Sequence, residues 1–427
     1  MKVLKNYWQT ILLLVGMLIG AAIGIQNPEF ALTLKPFGDL FINLIFMIIV
    51  PLIFFSIAGA IASVGKLERL GKIMIRALIV FAITSVIAVL LGIVSNLIYK
   101  PLTEDDVTSI SETLNLVEIE AENMEQSNQL GTNQSTQETE ELNGLEQFVK
   151  SITTSDFNEL LSRNNILQLI VFSILVGIST NLVGERGTAF AEFLKAGNEV
   201  IMKVVSIIMY YAPIGLSCYF AALIGELGSA LVTGYIRSFV GYLVLSLIFY
   251  FIVYSFYAWI AGGKKGVKAY WKNILPTSLT ALATCSSGVA IPSNIDAAKK
   301  MGVPKDIAET VIPLGTNIHK EGSLYGSVLK IIFLFLIFGK EIVTLPAILS
   351  ILGVSVLAGF LISAVPTGGG VISEALILSM FGFPSSALGI LATIAVVIDA
   401  PATVINVVGN TTSALLTTRL VEGKDWN

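Results

Sequence analysis

Asp399, Thr403, Asn406 and Asn410 stand 4, 3 and 4 residues apart, a spacing that places all four on one face of a helix. The residues between them are small or apolar, so this polar face runs through a segment otherwise suited to lipid. A charged side chain at membrane depth costs roughly 3 kcal/mol on insertion scales, and intramembrane acids are functional by default. The bland alternative is a polar stripe gluing the helix to a neighbour; the acid favours a binding role. Pro401 removes the amide that would bond the Val397 carbonyl, which leaves that oxygen to a ligand or cation.

A second polar run, Gly315-Thr-Asn-Ile-His-Lys-Glu-Gly-Ser323, interrupts another apolar segment. His319, the only histidine in the chain, adjoins Lys320 and Glu321. A lone histidine is usually a hydrogen-bonded structural residue. Three consecutive titratable groups at membrane depth point beyond packing. There is no second histidine and no His-Glu-x-x-His, so the run is not a metalloprotease centre.

Two further polar stretches, Thr284-Cys-Ser-Ser-Gly-Val-Ala-Ile-Pro292 and Ala364-Val-Pro-Thr-Gly-Gly-Gly370, break hydrophobic segments near their middles. Ser286, Ser287 and the amides around Gly288 offer donors, and the N-terminus of a short helix favours a carboxylate. Thr367 with Gly368, Gly369 and Gly370 makes a tip that can move and approach a solute closely. Glu374, one turn beyond that tip, is either a buried partner for Lys320 or a group facing an outer aqueous cavity.

These groups need elements that hold them at membrane depth, and the composition supplies them. The 427 residues are 54% hydrophobic and only 13% charged, against about 25% charged in a soluble domain. A bilayer core of about 30 Å requires roughly 20 apolar residues per helix. Runs that qualify begin near Thr10, Phe41, Met74, Ile166, Val200, Phe239, Val311, Ile342 and Ala387, with breaks expected near Pro28, Pro51 and Pro213. The first run lacks a small-residue cleavage site, so it reads as a span rather than a signal peptide. Segments 274–308 and 342–382 carry flanks of about ten to fifteen residues, too short to cross. Each is expected to be a re-entrant hairpin, since irregular backbone at this depth must be buried in protein or line a wet cavity. Paired interruptions of this kind point to a transporter binding site. The expected fold is therefore an all-α polytopic membrane protein with eight spans and two re-entrant hairpins.

Lys2, Lys5, Lys66, Arg69, Lys72, Lys264, Lys265, Lys268 and Lys272 fall on one side of the expected spans, which predicts that side, with both termini, to be cytoplasmic. Residues 101–160 are rich in Glu, Gln, Asn, Ser and Thr and read as a flexible outer loop. Cys218 and Cys285 are too few and too separated for a disulfide framework. No cofactor, metal centre or nucleic-acid partner is called for.

With these segments placed, the chain resembles the glutamate-transporter family, the dicarboxylate/amino acid:cation symporters. The resemblance rests on Tyr211-Ala-Pro-Ile-Gly215, the Ser286-Ser287 tip, Pro313-Leu-Gly315, Val365-Pro366 with its glycines, and the Asp399…Asn406 helix. It covers nearly the whole chain apart from 101–160. It implies an elevator fold with inverted repeats in the cytoplasmic membrane, assembled as a homotrimer among lipid. Residues 1–72 and 161–236 would form the scaffold, and 73–100 with 237–427 the moving transport domain.

The resemblance assigns Asp399 to the substrate α-amino group. Asn406 and Thr403 contact the carboxylate and side chain, Ser287 and the second tip meet the same carboxylate, and Ser286, Ser323, Val365, Pro366, Thr367, Gly369 and Ala402 complete the cradle. Two departures bear on the solute. Ala402 stands where acidic-substrate members have an arginine, and Cys285 replaces another arginine at the first tip. An acidic side chain without a guanidinium is left unpaired in a dry site. The expected solute is therefore a neutral amino acid, with Lys320 as the one group that could partner an acid instead. The family's Asn-Met-Asp-Gly-Thr signature reads His319-Lys320-Glu321-Gly322-Ser323 here, with Asn410 for its second acid and Phe81 for its tyrosine; Thr84 and Ser85 remain. A hard cation needs charged or carbonyl oxygens, and an ammonium now stands among them. The substitutions point away from sodium, towards Lys320 as a tethered cation and His319 and Glu321 as proton carriers. Alternatives are an acidic amino acid or dicarboxylate symporter, a channel on the same fold and, remotely, an intramembrane enzyme.

Overall fold

The computed structural model describes residues 12, 15–16, 18–62, 68–110, 153–162, 165–208, 210–227, 229–361, 370–384 and 387–423. Val365, Pro366, Thr367, Gly368 and Gly369, and residues 111–152 of the polar loop, lie outside them. Among the described residues the chain is helical wherever it is regular, with no strand. An apolar chain in lipid has to satisfy its own backbone, and helices do so within each segment. Four helical stretches among the described residues are long and apolar enough to cross a membrane: Gly71–Ile98, Gln168–Ile208, Leu231–Asn273 and Leu388–Glu422.

Helix α1 (Lys35–Ala62) packs against α3 (Ile166–Val183), α4 (Thr188–Ile208) and α5 (Ala212–Leu227). The break expected at Pro51 does not occur, because α1 runs through it. Packed neighbours let a membrane helix carry a proline whose lost hydrogen bond would end a solvated one. Pro28 and Pro213 do stand in first turns, of the short helix Pro28–Thr33 and of α5. Helix α2 (Glu68–Ile98) turns Ile75, Ile83 and Val94 outward while packing its other face on the site helices described below.

A π-turn, Phe249–Val253, joins α6 (Ser229–Ile248) to α7 (Tyr254–Asn273). Within α7 the backbone kinks at Gly262 and Gly263, the latter at φ 58°, a conformation glycine adopts without steric cost. The kink separates the apolar span from the helical segment bearing Lys264, Lys265, Lys268 and Lys272.

The first interrupted segment is a helical hairpin. Its arms α8 (Leu275–Thr284) and α9 (Ile291–Lys300) have 10 residues each, about 15 Å or half a bilayer core. They pack on one another and on α14 (Leu388–Glu422). Cys285 turns the chain at the tip with φ 45°, the one non-glycine positive φ among the described residues. The second interrupted segment comprises α12 (Leu345–Leu361) and α13 (Gly370–Phe381), which also pack together. Between the hairpins, α10 (Lys305–Ile318) and α11 (Glu321–Ile337) are separated by a two-residue break. Helix α14 runs unbroken through Pro401, is buried along most of its length, and packs against α2, α7, α10 and α11 as well as both hairpins.

Candidate functional site

The break between α10 and α11 is extended backbone: His319 has φ −128° and ψ 106°, and Lys320 φ −139° and ψ 75°. Side chains there leave the helix surface and enter the space between α2, α7 and α14. All three titratable groups are buried, with relative exposures of 1% for His319, 3% for Lys320 and 1% for Glu321. Close approach at the break depends on Gly322, where a Cβ would stand 2.5 Å from the Ala402 carbonyl oxygen.

His319 bridges α2 to α14. Its Nε2 lies 2.8 Å from Thr84 Oγ1 and its Nδ1 3.0 Å from Asn410 Oδ1. The single hydrogen of the Thr84 hydroxyl also has the Val80 carbonyl oxygen at 3.0 Å, so which ring nitrogen donates depends on the tautomer. Phe81 stacks on it with centroids 4.5 Å apart and planes at 12°. Ser85 is half-buried and joins no hydrogen bond of this cluster. Glu321 accepts from the Tyr254 hydroxyl at 2.6 Å through Oε2. Its Oε1 has no hydrogen-bond partner among the described residues and lies 3.9 Å from His319 Nε2.

Among the described residues the Lys320 ammonium makes no hydrogen bond, and the charge acting on it is that of Asp399. Asp399 in turn feels both Lys320 and Lys330. Glu374, expected to meet Lys320 or an outer aqueous cavity, does neither. It is fully buried and pairs through Oε1 with Lys330 Nζ, an ammonium nearly three turns beyond Lys320 along α11. Ser373 Oγ donates to the same oxygen at 3.2 Å. A partner on α11 reaches Glu374 because α13 packs directly on that helix.

The cradle expected around Asp399 is partly assembled. Ser323 N donates to Asn406 Oδ1 at 3.1 Å, and Asn406 Nδ2 donates to Ser323 Oγ at 3.0 Å. These two bonds fasten the first turn of α11 to the polar face of α14. Thr403 and Ala402 are buried on the same helix, and Ser286 and Ser287 are buried at the first tip. The first hairpin is tied to this level by Asn294, whose Nδ2 donates to the Val407 carbonyl at 2.9 Å and whose Oδ1 accepts from Thr411.

Sequence reasoning missed Lys330, Tyr242, Tyr254 and Asn294. Tyr242 donates to the Gly322 carbonyl at 2.9 Å and so supports the break from α6. The two tyrosines sit in apolar spans, where aromatic residues are ordinary. Asn294, between Ser293 and Ile295, was legible only as a polar residue on a short hairpin arm.

Residues 9–420 match the model of the sodium:dicarboxylate symporter family. The chain is similar to a proton/sodium-glutamate symport protein of Bacillus caldotenax, at 28% identity over 423 residues, 96% of this chain and 93% of the relative. It is similar to a proton/glutamate-aspartate symporter of Bacillus subtilis (strain 168), at 27% identity over 97% of this chain and 96% of the relative. A C4-dicarboxylate transport protein of the same organism is 28% identical over 80% of this chain and 76% of its own length.

Proposed function

The chain belongs to the sodium:dicarboxylate symporter family, which makes it an integral membrane secondary symporter and not an enzyme, and from that premise we propose that it carries an acidic amino acid together with a proton. One observation carries this reading: the Lys320 ammonium, 3% exposed and without a hydrogen bond among the described residues, stands at a helix break beside Asp399. A buried ammonium without a hydrogen bond is costly even with an opposite charge nearby, and a solute carboxylate relieves the cost. The neutral solute expected from the missing guanidinium at Ala402 finds no support. Lys320 supplies the positive charge from the facing break instead, and the relatives described above are named for glutamate, aspartate or C4-dicarboxylates.

In this reading Asp399 receives the α-amino group and Lys320 the side-chain carboxylate, while its fixed charge also replaces one coupling cation. Asn406, Thr403, Ser287 and the second tip serve the α-carboxylate. A C4-dicarboxylate is the second reading, favoured by the C4-dicarboxylate relative; it leaves Asp399 without a cationic partner on the solute. The solute would ride an elevator of eight spans and two hairpins, with 73–100 and 237–427 moving against 1–72 and 161–236 in a homotrimer.

Calorimetry on purified protein tests this with L-glutamate, L-aspartate, succinate, L-serine and L-alanine, with and without sodium. The acidic amino acids are expected to bind without sodium. Lys320→Met should weaken them by roughly 10²–10³-fold, the cost of removing one partner of a buried charge pair. Saturable binding of serine or alanine with none of glutamate or aspartate overturns the reading.

A further inference from the structure

We propose that Tyr254 couples the proton occupancy of Glu321 to the substrate-bearing face of α14, through a phenol that can donate to only one of its two acceptors at a time. This deepens the proton-coupled reading above and rests on it.

The Tyr254 hydroxyl lies 2.6 Å from Glu321 Oε2 and 2.8 Å from the Ile405 carbonyl oxygen. A phenol has one hydrogen. When Glu321 is ionised, that hydrogen goes to the carboxylate, because a charge-assisted bond is roughly twice as strong as a neutral one. The phenol then gives nothing to Ile405. When Glu321 is protonated, its own O–H donates to the phenol oxygen, and the phenol hydrogen turns to the Ile405 carbonyl. Only the protonated state satisfies both contacts at once. The step takes one proton from water on one side of the membrane onto Glu321 Oε2 and returns it to water on the other; no other covalent bond changes.

Ile405 is the residue before Asn406, whose amide holds Ser323 at the break. A hydrogen bond gained or lost at the 405 carbonyl therefore acts on the peptide adjoining that clasp. Space for the triad is left by Gly409, where a Cβ would collide with Glu321 Oε2 and stand 2.8 Å from the Tyr254 hydroxyl. The π-turn Phe249–Val253 immediately precedes Tyr254 and sets the direction in which its ring leaves α7. Such turns recur at functional sites.

The groups facing Glu321 are known from every packed element. Tyr254 and Tyr257 come from α7, Thr84 from α2, His319 and Tyr325 from its own segment, and Gly409 and Asn410 from α14. Lys320 and Asp399 complete the charged neighbourhood. His319 has both ring nitrogens engaged, whereas Glu321 keeps one oxygen without a partner among the described residues. As the first residue of α11, Glu321 also meets a helix N-terminus that supports its ionised form. Of the two groups the sequence marks as proton carriers, the geometry selects Glu321.

The test is calorimetric binding of L-glutamate and L-aspartate between about pH 5 and pH 8, to wild type, Glu321→Gln, Glu321→Asp and Tyr254→Phe. Wild-type affinity is expected to fall by up to roughly tenfold per pH unit on the alkaline side. Glu321→Gln should flatten that slope and Glu321→Asp retain it. Tyr254→Phe should still bind but lose at least half the slope, which a merely structural tyrosine would not do. A wild-type slope in Glu321→Gln overturns the proton site; a wild-type slope in Tyr254→Phe overturns the link. If neither amino acid binds wild type at any pH, the substrate reading fails instead. If wild-type binding is flat with pH and rises with sodium, proton coupling fails. Should the variants not fold, infrared spectra of the wild type decide the matter. A protonated carboxyl stretch that disappears over the pH range in which affinity falls supports the assignment, and its absence overturns it.

Discussion

Breaking the Lys330–Glu374 pair is the sharpest structural test of how the second hairpin is held. The side chains are 4% and 0% exposed, so neither charge can be solvated in place. Lys330→Met leaves Glu374 with Ser373 Oγ at 3.2 Å and an Oε2 that has no partner among the described residues. Glu374→Gln leaves the ammonium against a neutral amide, with the Asp399 charge acting on it from α14. Removing one partner of a buried pair costs about 3–5 kcal/mol, whereas removing both charges is close to neutral. With an unfolding entropy of about 2.1 cal/mol/K per residue over 427 residues, each single change should lower Tm by ~3–6 °C. The double variant should return to within ~1–2 °C of wild type. The assay is thermal unfolding of the purified protein in detergent, followed by tryptophan fluorescence. If the two single losses simply add in the double variant, the pair carries no coupling and the latch between α11 and α13 is refuted.

Other consequences follow from the same geometry. Gly322→Ala places a methyl 2.5 Å from the Ala402 carbonyl, and the overpacking should cost about 1–3 kcal/mol, seen as lower Tm and weaker solute binding. Asn406→Asp keeps the acceptor for Ser323 N but loses the donor to Ser323 Oγ; solute affinity measured by calorimetry should fall by roughly tenfold. At the surface, Lys299 holds the Glu309 carboxyl below the usual carboxylate range through a 2.6 Å bond. What that depressed value contributes is present above the ordinary carboxylate range and lost as pH falls through it. The pair is exposed, so Glu309→Gln should leave Tm unchanged within measurement error at neutral pH, in contrast to Lys330→Met.

The polar run around His319 and Lys320 was legible because its residues violate the chemistry of their surroundings. Three titratable groups between Gly315 and Gly322 cannot lie on a lipid-facing helix; the structure adds that the helix opens there. The arms of the first hairpin were legible from length alone, since 10 residues reach only half-way across. Lys330 was not. Alone in an apolar run it carries no indication of its partner, which lies 44 residues away and meets it only because α13 packs on α11. Tyr254 was hidden for a different reason. A π-turn has no composition of its own, and without it the direction of that ring cannot be read from spacing. Pro51 shows the converse error, where a local rule about proline yielded to the packing of α1 against its neighbours.

The sign of the proposed coupling follows from which charges the fold brings together. Lys320 and Lys330 face Asp399, and Lys330 is also bonded to Glu374, so these four groups balance. With His319 taken as a neutral imidazole, hydrogen-bonded to Thr84 and Asn410, the balance rests on one remaining group. Glu321 therefore tips the assembly: ionised, it leaves a net negative charge beside the cradle; protonated, it leaves none. An acidic amino acid also carries a net negative charge. Two like charges repel by about 4 kcal/mol at about 4 Å and an effective dielectric near 20, and by about half that at twice the separation; the smaller figure is a difference of roughly 30-fold in affinity. Coupling between two bound species is reciprocal, so solute should draw a proton in as strongly as the proton favours solute. Adding L-glutamate to weakly buffered protein near the midpoint of the affinity–pH curve should thus raise the bulk pH, and Glu321→Gln should abolish the rise. A fall in pH on binding would mean that the solute displaces a proton, and the balance of charges drawn here would be wrong.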